Sequence, residues 1–265
     1  MKTLSDNQIL DEFFAKLIRA SQRWLLLDYD GTLAPFRVER GAARPYEEVV
    51  GVLGELVGCP ETRVVIISGR ALADLIPLLD GIRPLPELWG SHGWERRRPD
   101  GTVTCAAVAE SAARGLAEAW TWARDAGLED RCERKPASVA FHTRGLDAGA
   151  RADLERRIEK ELFPRVTDGE LDWHGFDGGL ELRARGIDKG SAVGTLVAES
   201  PESTVIVYAG DDRTDEDAFR ALGTRGLRIL VRDEFRETEA DVWLRPPDEL
   251  TAFLIRWLDI VKGTP

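Results

Sequence analysis

Four short runs of apolar residues, three of them stopped by a polar, turn-forming cluster, constrain this chain more than any other feature. Residues 24–27 run into Asp28-Tyr29-Asp30-Gly31-Thr32, and residues 64–67 into Ser68-Gly69-Arg70. Residues 205–208 lead through Ala209 to Gly210-Asp211-Asp212-Arg213-Thr214-Asp215, and residues 227–231 follow after a helical stretch. Runs that are apolar at nearly every position are strands covered on both faces, and helices between them make their pairing parallel. The helices have their own signals. Ser5-x-x-Gln8 is a capping box ahead of Ile9, Leu10, Phe13, Phe14, Leu17 and Ile18 at helical spacing. Pro45 with Glu47 and Glu48 marks a second start, and Leu254, Ile255, Trp257 and Leu258 a closing helix.

The middle of the chain has a different rhythm. A long helical pattern runs to Ala126, residues 138–143 alternate as a half-buried strand, and a helix follows over 147–162. Two short strands, 170–174 and 179–183, flank Gly178-Gly179. The expected architecture is therefore α/β, a parallel-sheet core over 1–105 and 185–265 interrupted by an α+β module with an antiparallel sheet over 106–184.

Composition narrows what such a fold does. At 265 residues, 43% hydrophobic and 31% charged, the chain has globular proportions, with room for one large domain or a core and an insertion. Its 47 acidic and 36 basic residues leave a formal charge of −11, which argues against nucleic acid or an anionic membrane as a general partner. No apolar run approaches the ~20 residues of a membrane span, and residues 1–10 lack the basic-then-apolar order of a signal peptide. Three cysteines without CxxC spacing indicate neither a disulfide framework nor a zinc site, and read as small buried hydrophobes. The expected location is the cytoplasm. Of the eight tryptophans, Trp24, Trp120, Trp243 and Trp257 sit in apolar patterns and read as core, whereas Trp94 lies in a loop.

The chemistry sits where the strands stop, because open parallel sheets bind ligands beyond their carboxyl ends. Asp28 and Asp30 are two apart on an extended segment, so both reach one side. One carboxylate can attack phosphorus while the other handles the leaving-group proton. Thr32 offers a hydroxyl, and Gly31 permits the turn. The alternative, a turn with capping acids, weakens once Asp211, Asp212 and Asp215 are added: oxygen ligands so clustered suit Mg²⁺, which shares its shell with a substrate phosphate. The Ser68 hydroxyl and the Gly69 N–H suit phosphate too, or Ser68 caps a helix starting at Ala71. Lys189, just before a helical stretch over 191–198, brings a positive charge or is an ordinary surface lysine.

These four turns, in this order, resemble the motifs of the haloacid dehalogenase-like superfamily of phosphohydrolases: DYDGT at 28–32, Ser68, Lys189 and GDDRTDED at 210–217. The resemblance implies a Rossmann-like core, with the insertion serving as a mobile α/β cap. A narrower resemblance, to trehalose-6-phosphate phosphatases, rests on LLLDYDGTLAPF at 25–36, SGRALADL at 68–75, GSHGWE at 90–95, KPASVAFHTR at 135–144, LELRARGIDKG at 180–190 and AGDDRTDEDAF at 209–219. Ala184-Arg185-Gly186 departs from the basic-Pro spacer commoner there, and His92 lies in a loop that varies. The family implies Asp28 as nucleophile, Asp30 as general acid and base, and Ser68 and Lys189 as further catalytic residues. It also implies Mg²⁺ held by Asp28, the Asp30 carbonyl and Asp211, with Asp212 and Asp215 orienting that shell. Thr32, Gly69 and Arg70 would contact the phosphate.

In the insertion, Glu133 with Lys135 and Glu181 with Arg183 share faces by strand parity, as do His142 and Arg144. A solvated face with cross-strand ion pairs accounts for such pairs, and His142 reads equally as a histidine paired with an acid. The resemblance turns Glu133, Lys135, His142, Arg144 and Glu181 into sugar-binding residues, and implies a small sugar phosphate as substrate and functional pairing with a trehalose-phosphate synthase. Rival expectations are a phosphatase for another sugar phosphate, such as sucrose phosphate or mannosyl-phosphoglycerate, a phosphomannomutase-like isomerase, and an inactive regulatory relative.

Overall fold

The computed structural model describes residues 7–37, 39–166, 170–176 and 178–263, and carries the four apolar runs as adjacent strands. They are β1 (Arg23–Leu27), β2 (Thr62–Ile67), β10 (Val205–Gly210) and β11 (Leu227–Val231). Three short strands, β3 (Glu87–Gly90), β4 (Glu95–Arg97) and β5 (Val103–Cys105), extend one side, and β12 (Val242–Leu244) the other. The order is β12-β11-β10-β1-β2-β3-β4-β5, parallel from β12 to β3, with β4 antiparallel to β3. The four outer strands escaped the sequence reading because three or four residues are too few to display a pattern.

Successive residues of each strand feed two apolar layers, which is why these runs do not alternate with polar residues. Leu25, Leu27, Val64, Ile66, Val207 and Ile229 pack under α1 (Asn7–Arg19), α2 (Glu47–Val57), α3 (Leu72–Leu75) and α8 (Asp248–Lys262). Leu26, Val65, Ile67, Ile206, Tyr208 and Leu230 pack under α6 (Lys189–Glu199) and α7 (Asp215–Leu222). Ser5 of the expected capping box lies outside the described residues. Ile255 faces outward, 46% exposed, while Leu254, Trp257 and Leu258 bury. Trp24 and Trp257 are core as expected, but Trp243 is half-buried. Register pairs Leu27 with Ala209 and with Ile66, so Asp28, Ser68 and Asp211 leave the sheet at one edge.

By internal contacts the chain divides into two units, Met1–Thr104 with Lys189–Pro265, and the intervening Cys105–Asp188. The second unit has an antiparallel sheet in the order β6-β7-β9-β8, from β6 (Cys132–Lys135), β7 (Ser138–His142), β8 (Leu171–Phe176) and β9 (Gly179–Ala184). Its helices are α4 (Glu110–Asp125) and α5 (Ala148–Glu161), the latter capped by the Asp147 carboxylate on the Ala150 N–H. The buried stripe of α4 includes Trp122, whose ring meets Phe141 edge-on at 6.0 Å, while Trp120, expected in the core, is half-buried. The cysteines correct a second expectation: Cys105 is exposed on an edge strand, and Cys59 and Cys132 are half-buried. Among the described residues no helix is long and apolar enough to cross a membrane.

Candidate active site

The turn after β1 is held by its own backbone: Gly31 N–H donates to the Ala34 carbonyl (2.7 Å), and the Leu33 and Ala34 N–H groups to that of Tyr29. Gly31 is required twice over. Its φ is +85°, a region that disfavours side chains, and a Cβ there would lie 2.3 Å from an Asp211 carboxylate oxygen. The first and last acidic turns therefore touch, as the sheet order demands.

Asp28 is buried, and its Oδ1 accepts from Lys189 Nζ at 2.6 Å. Lys189 is the first residue of α6, two positions earlier than expected, and is itself buried. Its ammonium also donates to Asp215 Oδ1 at 2.7 Å, which makes it an internal cation rather than a surface lysine. Asp215 has no acceptor to spare: Tyr208 Oη donates to Oδ1, and the N–H groups of Asp211 and Asp212 donate to Oδ2 at 3.0 and 2.9 Å. Thr32 Oγ1 donates to Asp28 Oδ2 at 3.3 Å.

Carboxylate oxygens of Asp28, Asp211 and Asp215 lie within 4.8 Å of one another, and both oxygens of Asp211 are buried without a hydrogen-bond partner. Desolvation and the neighbouring Asp28 and Asp215 charges hold the Asp211 carboxyl well above its usual range. Burial likewise pushes Asp28 up to about 7, Lys189 offsetting only part of it. Buried charge is tolerated when paired or metal-bound, and the three acids face one buried ammonium and the half-buried Arg232 guanidinium, 3.9 Å from Asp211 Oδ2, one positive charge short of balance. The donor set, hard oxygens with Asp211 open and Asp28 beside it, fits a divalent cation such as Mg²⁺. Asp215 fits the role of orienting the loop. Asp212 is half-buried, with Oδ1 accepting from the Arg213 N–H.

Asp30 turns elsewhere. Its carboxylate receives a two-pronged contact from Arg70, 2.7 Å from Nε and 2.6 Å from Nη2. Arg70, expected on phosphate, thus holds the candidate acid. Ser68 is fully buried, and its Oγ accepts from the Arg70 N–H at 3.1 Å. It does not cap the following helix: Ala71 stands at that position, and the Leu72 N–H is met instead by Glu95 Oε2 at 3.0 Å. Glu95 also accepts from the Ser91 hydroxyl, in a turn where Ser91 and His92 have φ of 49° and 57°. A Cβ on Gly69 would lie 2.6 Å from the His92 ring, so this turn is the floor under Ser68-Gly69-Arg70. The sequence reading missed Glu95 and Tyr208. An acid four residues after Ser91 gave no signal, but a hydroxyl inside a buried strand did.

In the second unit, register sets Glu133 and Lys135 on the face that carries Ser138, Glu181 and Arg183. The Glu181 carboxylate, 1% exposed, accepts from Lys135 (2.9 Å), Ser138 (2.7 Å) and Arg183 (2.8 Å). The Lys135 pair crosses strands, as a solvated face would have it, while Arg183 reaches Glu181 along the same strand, and all three residues are buried. His142 Nε2 lies 3.3 Å from Glu133 Oε2, the expected pairing with an acid. β7 ends at His142, so Arg144 sits in the turn beyond, where strand parity no longer applies.

The family model described as trehalose-phosphatase matches residues 26–242, from β1 to the start of β12, and so spans both the acidic turns and the insertion. The chain belongs to the trehalose-phosphatase family. A trehalose-phosphate phosphatase of Mycobacterium ulcerans is 33% identical over 86% of this chain, which spans 60% of that protein's length. Among solved structures, the C-terminal domain of the Candida albicans trehalose-6-phosphate phosphatase has a TM-score of 0.77 at 22% identity, covering 98% of this chain and 97% of that one. The C-terminal domain of a C. albicans trehalose synthase regulatory protein has a TM-score of 0.70 at 14% identity, covering 93% and 97%. The trehalose-phosphatase family thus shares this fold across both units, and the residues quoted above fall inside the matched span.

Proposed function

We propose that the chain is a Mg²⁺-dependent phosphatase of the cytoplasm that hydrolyses trehalose 6-phosphate to trehalose and phosphate. The supporting observation is the buried Asp28 carboxylate, 2.6 Å from Lys189 and beside Asp211 oxygens that accept no hydrogen bond. In this reading an Asp28 oxygen attacks phosphorus in line, and the bond from phosphorus to the sugar oxygen breaks. Asp30 gives that oxygen its proton, then takes one from the water that hydrolyses the aspartyl-phosphate. Arg70 engages both Asp30 oxygens, so the fork opens to leave one of them for the sugar oxygen. Ser68, Gly69 and Thr32 hold phosphoryl oxygens, and Lys189 keeps Asp28 aligned. Asp28, the Asp30 carbonyl and Asp211 would hold Mg²⁺, with Asp212 and Asp215 orienting them; the cation offsets the negative charge on the phosphoryl group. Glu133, Lys135, His142, Arg144 and Glu181 read the sugar hydroxyls. The regulatory protein sharing the fold supports functional pairing with a trehalose-phosphate synthase.

The test is phosphate release from trehalose 6-phosphate, sucrose 6-phosphate, glucose 6-phosphate and mannosyl-phosphoglycerate, each with Mg²⁺ and with excess chelator. Trehalose 6-phosphate is expected to give the highest kcat/KM, and chelator to stop turnover. Preference for another sugar overturns the substrate, and full turnover in chelator overturns the cation. Interconversion of sugar 1- and 6-phosphates without release marks a mutase.

A further inference from the structure

The segment between β11 and β12 returns to the acidic turn through one side chain. Arg236 donates from Nε to the Asp211 carbonyl at 3.2 Å and from Nη2 to the Asp212 carbonyl at 2.7 Å, while Nη1 pairs with Glu216 in the first turn of α7. Glu216 is held in turn by the Thr238 hydroxyl at 2.7 Å and the Glu239 N–H at 2.9 Å. Both charged side chains are largely removed from solvent, 19% and 14% exposed. A guanidinium is a rigid planar fork, and here it spans two successive carbonyls with a geometry that a flexible ammonium does not pre-set.

Asp215 and Arg236 grip the same two residues in complementary ways. Asp215 takes the N–H groups of Asp211 and Asp212, and Arg236 takes their carbonyls. With the backbone fixed at both polar ends, the Asp211 carboxylate, which accepts no hydrogen bond and has the Arg232 guanidinium 3.9 Å away, is held against Gly31 and beside Asp28. We propose that Arg236, anchored by Glu216, is a positioning residue that presents Asp211 to the divalent cation. This rests on the cation reading of the Asp28–Asp211 cluster.

The experiment is calorimetric titration of Mg²⁺ into metal-free protein without substrate, for the parent, Arg236→Ala, Arg236→Lys and Glu216→Gln. Residues that orient metal ligands typically contribute ~10–100-fold to affinity, so Arg236→Ala is expected to raise the Kd by that order. Arg236→Lys keeps the charge but not the fork and is expected to fall between. An Arg236→Ala Kd equal to the parent's overturns the inference. So does a parent-like Arg236→Lys beside a weakened Arg236→Ala, which would reduce the effect to charge. If Arg236→Ala fails to fold, Glu216→Gln decides: it removes the charge that anchors the guanidinium, and an unchanged Kd overturns the anchored positioning role. A parent that takes up no Mg²⁺ overturns the cation reading itself, and the parent titration alone separates that failure from the others.

Discussion

Lys189 is the residue on which the buried acids depend most directly. It serves two carboxylates at once, 2.6 Å from Asp28 and 2.7 Å from Asp215. Removing one partner of a buried ion pair leaves a charge with neither water nor a counter-ion. Lys189→Met should therefore lower stability by ~3–5 kcal/mol, read from the urea midpoint in chelator; an unchanged midpoint would mean that the ammonium contributes nothing net. Asp28→Asn separates chemistry from folding. The amide is a poor nucleophile of the same shape, so kcat for trehalose 6-phosphate should fall ~10³-fold or more while the near-ultraviolet circular dichroism stays that of the parent. Activity within tenfold of the parent would remove Asp28 from the nucleophile's role.

At the scale of elements, one polar network ties β4, Glu95-Arg96-Arg97 with no apolar side chain, to its neighbours. Glu87 of β3, 1% exposed, accepts from Arg63 of β2, from Arg96 of β4 and from the Trp89 indole. Glu199, at the end of α6, takes a two-pronged contact from Arg96 and a further one from Arg63. Arginine side chains thus tie α6, which carries Lys189 at its other end, to the β2–β3–β4 side of the sheet. The Arg96 contact holds the Glu199 carboxyl below its ordinary 4.5. A carboxyl with a depressed folded-state pKa stabilises the fold above its unfolded value, and loses that contribution as the pH falls through the folded one. Glu199→Gln should therefore melt below the parent at pH 7, with the difference shrinking as the pH falls below 4.5 and through the folded-state pKa. A difference independent of pH would assign the loss to packing.

On the scale of the molecule, the two units divide the proposed work: the first carries the acidic turns, and the second a sheet face whose polar groups are buried and mutually paired. A site that hydrogen-bonds sugar hydroxyls discriminates against analogues lacking them, whereas phosphate contacts are common to every ester. Glu181→Gln keeps the shape but removes the charge between Lys135 and Arg183. Its kcat/KM should fall ~10²-fold for trehalose 6-phosphate and less than ~10-fold for p-nitrophenyl phosphate, both measured beside the parent. Equal losses on the two esters would place Glu181 in the folding of its sheet.

Much of this was local, and so legible in the chain alone. The unbroken apolar runs of β1, β2, β10 and β11 require cover on both faces. Three of these runs stop in turns built from acids, hydroxyls and glycines, and parity alone put Glu133 with Lys135 and Glu181 with Arg183. What lay beyond reach was every contact that depends on which strands are neighbours. Lys189 meets Asp28 across 161 residues because β10 pairs with β1 and α6 packs beneath both. Arg70 grips Asp30 across 40 residues because β2 lies on the other side of β1. Arg236 is one arginine among many until the β11–β12 segment brings it onto the carbonyls of Asp211 and Asp212. Backbone propensity and burial periodicity act over a turn or a strand, so the sequence displays them. The partner of a charged side chain is chosen by the order of the sheet, which only the folded chain has.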